Sequence, residues 1–74
     1  MILLDPQIEA FLAVAQSGSV HGAARALGLT QTGVTQRIRA LETKVRTTLF
    51  LRSRKGMLPT REGQALLRYC HSVR

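Results

Sequence analysis

Apolar residues recur at helical spacing along most of this chain. Ile8, Phe11, Leu12, Val14 and Ala15 keep the three- and four-residue intervals of a helix with one buried face. Asp5-Pro6 predicts its start, with an Asp cap and then Pro at the first helical position, where no N–H is missed. Ser17-Gly18-Ser19 predicts its end, because Gly18 is free to turn left-handed. Ser19 is placed to cap a second, short helix running to about Leu27. In it Ala23 and Ala24 either admit a close helix neighbour or simply favour helix.

Residues 30–45 carry the most informative pattern. Thr30 can cap a helix, and at about 100° per residue Val34, Ile38, Leu41 and Val45 fall within about 60° of one another. That stripe predicts a core-facing side. Thr32, Thr35, Gln36, Arg39 and Arg46 gather opposite, with no carboxylate in the middle of the arc. A face of amides, hydroxyls and guanidinium groups suits a partner rich in hydrogen-bond acceptors, and a DNA major groove admits one helix. An ordinary amphipathic surface helix would show much of the same pattern. Gly28-Leu29 joins this helix to the previous one, matching helix-turn-helix spacing, which many small bundles share.

Beyond Val45 the period changes. Residues 47–51 are β-branched or large and apolar, residues 53–56 read as a turn, and Met57-Leu58 predicts a short return strand. Such a hairpin behind a helix-turn-helix is a wing, bearing Arg52, Arg54 and Lys55; taken alone, the charge run equally suits a solvated loop. Pro59-Thr60 opens a last helix, with Thr60 as cap and Glu62 against the N-terminal dipole. Leu66, Tyr69, Cys70 and Val73 form its apolar stripe, expected both to cover the core and to pair with a second chain. The chain stops inside this helix without Gly, Asn or Pro, so a longer parent protein is expected.

Composition sharpens the partner. The 74 residues make one small domain, and 45% hydrophobic content argues for a packed core rather than disorder. Residues 1–24 hold Asp5 and Glu9 and no basic residue, while residues 25–74 hold all 11 Lys and Arg against Glu42 and Glu62. The net charge of +7 is therefore concentrated where the polar helix and wing lie, as a polyanion-facing surface requires. A lipid-surface helix would want bases beside a large aromatic or leucine face, and the aromatics are only Phe11, Phe50 and Tyr69. No apolar run approaches the about 18 residues of a membrane span, and Asp5, Pro6 and Glu9 interrupt what a signal peptide would need. A single cysteine fits a reducing cytoplasm. Catalysis is not expected. His21 and His71 fall on different helices, Cys70 suits a small apolar helix position, and neither metal-ligand spacing, a phosphate-binding glycine loop nor paired carboxylates occurs. No cofactor is expected either. His21 and Ser19, at the start of the second helix, are weaker candidates for a phosphate contact, a solvated surface histidine being the alternative.

These residues also carry a family resemblance. FLAVAQSGSVHGAARALGLTQTGVTQRIRALE, then LF, a basic turn and PTREG, resembles the N-terminal DNA-binding domain of LysR-type bacterial transcriptional regulators over residues 8–63. The resemblance implies a mainly α fold with a two-stranded β wing, a winged helix-turn-helix over residues 1–59. The start of a linker and dimerisation helix would occupy residues 60–74. It implies double-stranded DNA with an inverted-repeat operator as partner, and homodimers through the last helix that pair as dimers of dimers. A small-molecule effector would act only through a C-terminal domain absent from this chain. Position by position, Gln31, Thr32, Thr35 and Gln36 match the family's base-reading places, and Arg52 matches the wing arginine. Arg37, Arg39, Arg54 and Lys55 are the further phosphate or minor-groove candidates. Thr32 stands where proline or serine is usual, Gly33 replaces alanine, and Thr35-Gln36 replaces a common Ser-Arg pair. Gln36 pairs with adenine where arginine would favour guanine, so the half-site is expected to differ from the family norm. Leu51 replaces a frequent acidic residue, leaving the wing more basic. Gly33 should cost the helix about 1 kcal/mol relative to alanine, in exchange for close approach of either DNA or the second helix. Two other classes fit part of the pattern: a non-specific architectural DNA binder, which needs charge alone, and a winged-helix protein-interaction module. The latter would show an apolar outer recognition face.

Overall fold

The structure is a computed structural model and describes residues 5–72. Three helices, α1 (Pro6–Ser17), α2 (Val20–Leu27) and α3 (Gln31–Val45), precede a hairpin of β1 (Phe50–Ser53) and β2 (Gly56–Pro59) and a last helix, α4 (Arg61–Ser72).

Local rules place each helix start. Asp5 Oδ1 accepts from the Gln7 N–H at 2.7 Å, with Pro6 following it. Ser19 Oγ accepts from Gly22 N–H at 2.9 Å, and Thr30 Oγ1 from Gly33 N–H at 2.9 Å. Thr60 Oγ1 accepts from Gly63 N–H at 3.0 Å. Each cap satisfies donors that the first helical turn leaves without partners. Left-handed Gly18 and Gly28 close α1 and α2, so the two connections stay short.

The core lies between α1, α2 and α3. Ala10, Phe11 and Val14 of α1, Val20, Ala23 and Ala24 of α2, and Val34, Ile38 and Leu41 of α3 are buried together with Leu49 and Phe50. Ala23 is fully buried, so its small side chain sits where neighbouring helices crowd in. Phe11 and Phe50 rings pack with centroids 5.3 Å apart at 43°, which ties α1 to the wing.

Val45 departs from its expected core position, being 43% exposed. It lies in the last turn of α3, past Leu41, and Arg46 (φ 61°) then turns the chain back. Leu49 returns to the core in its place, 1% exposed. The carboxylate of Glu42 fixes that return by accepting from the N–H groups of Leu49 at 2.7 Å and Phe50 at 3.4 Å. The wing accordingly starts later than the β-branched run suggests. Residues 47–49 direct their hydrogen bonds elsewhere: Thr47 N–H to Glu42 O, and the Leu49 and Thr48 carbonyls to the N–H and hydroxyl of Thr60. Pairing runs from Phe50↔Pro59 to Ser53↔Gly56, so Ser53 and Gly56 belong to the strands and Arg54-Lys55 form the tip.

The expected stripe on α4 divides. Gly63 and Cys70 are buried and Leu66 and Leu67 half-buried against the core, whereas Tyr69 is 60% exposed. Tyr69 therefore contributes no core cover, because the inward positions are set by the interval from Gly63 to Leu66, Leu67 and Cys70. Val73 lies outside the described residues. Burial pushes the Cys70 thiol up from its ordinary range, leaving less thiolate near neutral pH. Labelling of Cys70 by a thiol reagent is expected to be slow in the native domain and fast once urea unfolds it. Equal rates in both states would place the thiol at the surface.

Candidate nucleic-acid interface

The outer side of α3 is polar and open. Gln31, Thr32, Gln36 and Arg39 are exposed, and Thr35 is half-buried at the edge of the stripe. The α3–wing junction is a cleft lined by Thr35, Arg39, Arg52 and Met57 among others. Strand alternation makes this arrangement: Phe50 points into the core, Arg52 shares its side of β1, and Leu51 takes the other. A hydroxyl and a guanidinium from the helix thus meet a guanidinium from the wing. Arg54 and Lys55 extend the basic character to the exposed tip, where Lys55 N–H donates to Ser53 Oγ at 3.2 Å. Guanidinium groups so arranged suit phosphate oxygens or a narrow minor groove beside the groove that receives the helix.

Not all the sequence candidates join this surface. Arg37 is half-buried and does not line the cleft; it falls about 100° from Gln36 around the helix, on the flank of the core stripe. The Ser19 hydroxyl oxygen accepts as the α2 cap and its hydrogen stays available, but Ser19 does not line the cleft. His21 is exposed at the start of α2, and its Nδ1 lies 3.1 Å from Nε2 of Gln31. Sequence reasoning missed this pairing, although both residues open helices joined by a short turn. A Cβ on Gly33 would meet only the hydroxyl of Thr30, at 3.1 Å, so no approach of α2 requires glycine there.

A further feature is only partly legible in the sequence, where Arg39 and Arg46 share the outer arc but Thr43, Thr47 and Thr48 are not read beside them. Arg39, Thr43, Arg46, Thr47 and Thr48 line a shallow depression with Glu42 past the cleft, extending the basic and hydroxyl-bearing surface toward the C-terminal end of α3. The spacing of Arg39, Thr43 and Arg46 along one helix side is the signal that leads to it.

Leu51 and Leu58 face each other across the wing, 59% and 51% exposed, on the side away from Arg52. Among the described residues no three metal-ligating side chains converge, and no helix is long and apolar enough to cross a membrane.

A helix pair on a tight turn, a polar outer helix and a basic hairpin beside it define a winged helix-turn-helix domain. Residues 6–64 match the family model described as the bacterial regulatory helix-turn-helix protein, lysR family, and the chain belongs to that family. It is 45% identical over 73 residues to the HTH-type transcriptional regulator CzcR of Bacillus thuringiensis, covering 99% of this chain and 24% of that protein. The chain therefore spans about a quarter of that relative's length. The DNA-binding domain of CbnR, solved as a DNA complex, superposes with a TM-score of 0.84 at 33% identity, covering 90% of this chain and 77% of that one. ArgP from Mycobacterium tuberculosis matches with a TM-score of 0.84 at 38% identity over 93% of this chain and 26% of its own.

Proposed function

We propose that this chain is the sequence-specific, double-stranded DNA-binding part of a LysR-type bacterial transcription regulator. The observation that carries the proposal is that Thr35 and Arg39 of α3 and Arg52 of the wing line one cleft, beside Glu42 and over the apolar side chains of Val20, Ile38, Phe50 and Met57. Its relative CbnR, 33% identical, was solved bound to DNA through the corresponding domain. Gln31, Thr32, Thr35 and Gln36 read base edges; Arg39, Arg52, Arg54 and Lys55 hold phosphates or enter the adjacent minor groove. Arg37 and Ser19 are left as peripheral phosphate contacts. The role is non-catalytic and cytoplasmic, at the nucleoid.

Residues 1–59 form the DNA-binding unit, and residues 60–74 begin a linker helix through which two chains pair, with exposed Tyr69 available to the partner. Two chains then match an inverted repeat, and effector sensing belongs to a C-terminal domain of the whole regulator. A protein-interaction module is disfavoured, because among the described residues the exposed large apolar side chains, Val45, Leu51, Leu58 and Tyr69, avoid the outer recognition face.

Selection of randomised duplexes at two salt concentrations tests the reading. The wild-type chain is expected to enrich an inverted repeat, and Gln36→Ala to relax one position of each half-site. A bidentate pair with a base is worth about 1–3 kcal/mol, so its removal should cost roughly 5- to 150-fold in preference. If nothing is enriched and affinity only falls steeply with salt, the chain is a non-specific basic binder and the proposal fails.

A further inference from the structure

Among the described residues, the contact between His21 and Gln31 is the only hydrogen bond joining two side chains. It crosses from the start of α2 to the start of α3, and both residues are exposed. A carboxamide nitrogen carries two hydrogens and accepts nothing, so Gln31 Nε2 is the donor and His21 Nδ1 the acceptor at 3.1 Å. Acceptance at Nδ1 uses the tautomer that carries the imidazole hydrogen on Nε2. One of the two Gln31 hydrogens is thereby held, while the other hydrogen and Oε1 stay free. A donor and an acceptor on one amide are what a bidentate adenine contact uses.

We propose that His21 is a positioning residue for base reading: its Nδ1 fixes the Gln31 carboxamide so that the remaining N–H and Oε1 are presented together to one base. An untethered glutamine on an exposed helix end samples many rotamers, and each specific contact must then order it. The tie supplies that order before DNA arrives. This gives His21 a different part from a phosphate contact. A phosphate ligand changes affinity for all sequences alike, whereas a positioning residue changes preference at one base pair.

The inference rests on the base-reading role proposed above for α3, and its test separates the two. Duplex selections would be run with the wild-type chain, Gln31→Ala, His21→Ala, His21→Asn and the double variant His21→Ala/Gln31→Ala. Gln31→Ala is expected to relax one position of each half-site. His21→Ala should relax that same position by about tenfold, the scale of the rotamer freedom an untied glutamine regains, with the salt dependence unchanged. His21→Asn, whose Oδ1 takes the place of Nδ1, should restore the preference. The double variant should add nothing to Gln31→Ala, since coupled residues are non-additive. If Gln31→Ala relaxes a position and His21→Ala leaves it intact, or lowers affinity for every sequence equally, the positioning role is overturned while the base-reading proposal stands. If Gln31→Ala relaxes no position, Gln31 reads no base and the inference falls with that assignment.

Discussion

Phe11→Ala is expected to remove about 3–5 kcal/mol of stability, the usual cost of emptying a fully buried aromatic site. Phe11 is completely buried, and its ring packs 5.3 Å from that of Phe50. That pair is where α1 meets the first residue of the wing, so truncation leaves a void that neither element can close alone. A domain of this size sits at the low end of the about 5–15 kcal/mol typical of folded proteins. The variant should therefore be largely unfolded or retain only a broad, early urea transition by circular dichroism. A cooperative transition with the wild-type midpoint would show that the ring is not a keystone. Leu58→Ala is the matched control: the side chain is 51% exposed, so its removal should stay within about 0.5 kcal/mol.

What could be read from the sequence was mostly local. Asp5, Ser19, Thr30 and Thr60 cap their helices because a side-chain oxygen reaches N–H groups two or three residues on, a distance any sequence window contains. The exposure of Thr32, Gln36, Arg39 and Arg46 follows from helical period alone, whereas Gln31 falls beside the core stripe on the wheel and enters through the family resemblance. Where the reading failed, a partner distant in sequence had intervened. The helical wheel puts Val45 on the core side, yet it cannot register that α3 outruns the body it packs against. The β-branched run at residues 47–49 promised strand, but Glu42 and Thr60 claim its backbone groups. Tyr69 belongs to the apolar stripe by sequence and to the surface by geometry, since α4 packs through Gly63, Leu66, Leu67 and Cys70. The candidate site divides in the same way. Its face was legible; the meeting of Thr35, Arg39 and Arg52 in one cleft, and of His21 with Gln31, depended on tertiary placement.

The seating of the wing rests on such a distant contact, and Gly56 is its hinge point. Met57 N–H donates to Gly18 O at 2.9 Å, tying β2 to the turn between α1 and α2. Gly56 adopts φ 118°, well outside the left-handed well near 57° that other residues visit, and a Cβ there would run into that same Gly18 carbonyl oxygen. Gly56→Ala must therefore bear backbone strain of about 1–3 kcal/mol and also push the carbonyl from its donor, a hydrogen bond worth about 1 kcal/mol. The expected total is about 2–4 kcal/mol in urea unfolding. Gly28→Ala separates the two contributions. Gly28 is left-handed at φ 69° with nothing within 4 Å of an added Cβ, so it bears strain alone and should cost about 1–2 kcal/mol. The difference also has a functional reading, because Arg52 sits opposite Met57 on the paired strand. Displacing β2 moves that guanidinium relative to α3. Gly56→Ala should therefore weaken DNA binding and lower the salt slope by about 0.9 for each phosphate the wing no longer neutralises. Gly28→Ala should leave the wing contribution to that slope in place. If both variants cost the same stability and leave the slope unchanged, the Gly18 carbonyl does not hold the wing, and its position relative to α3 is set by Phe50 and Leu49 alone.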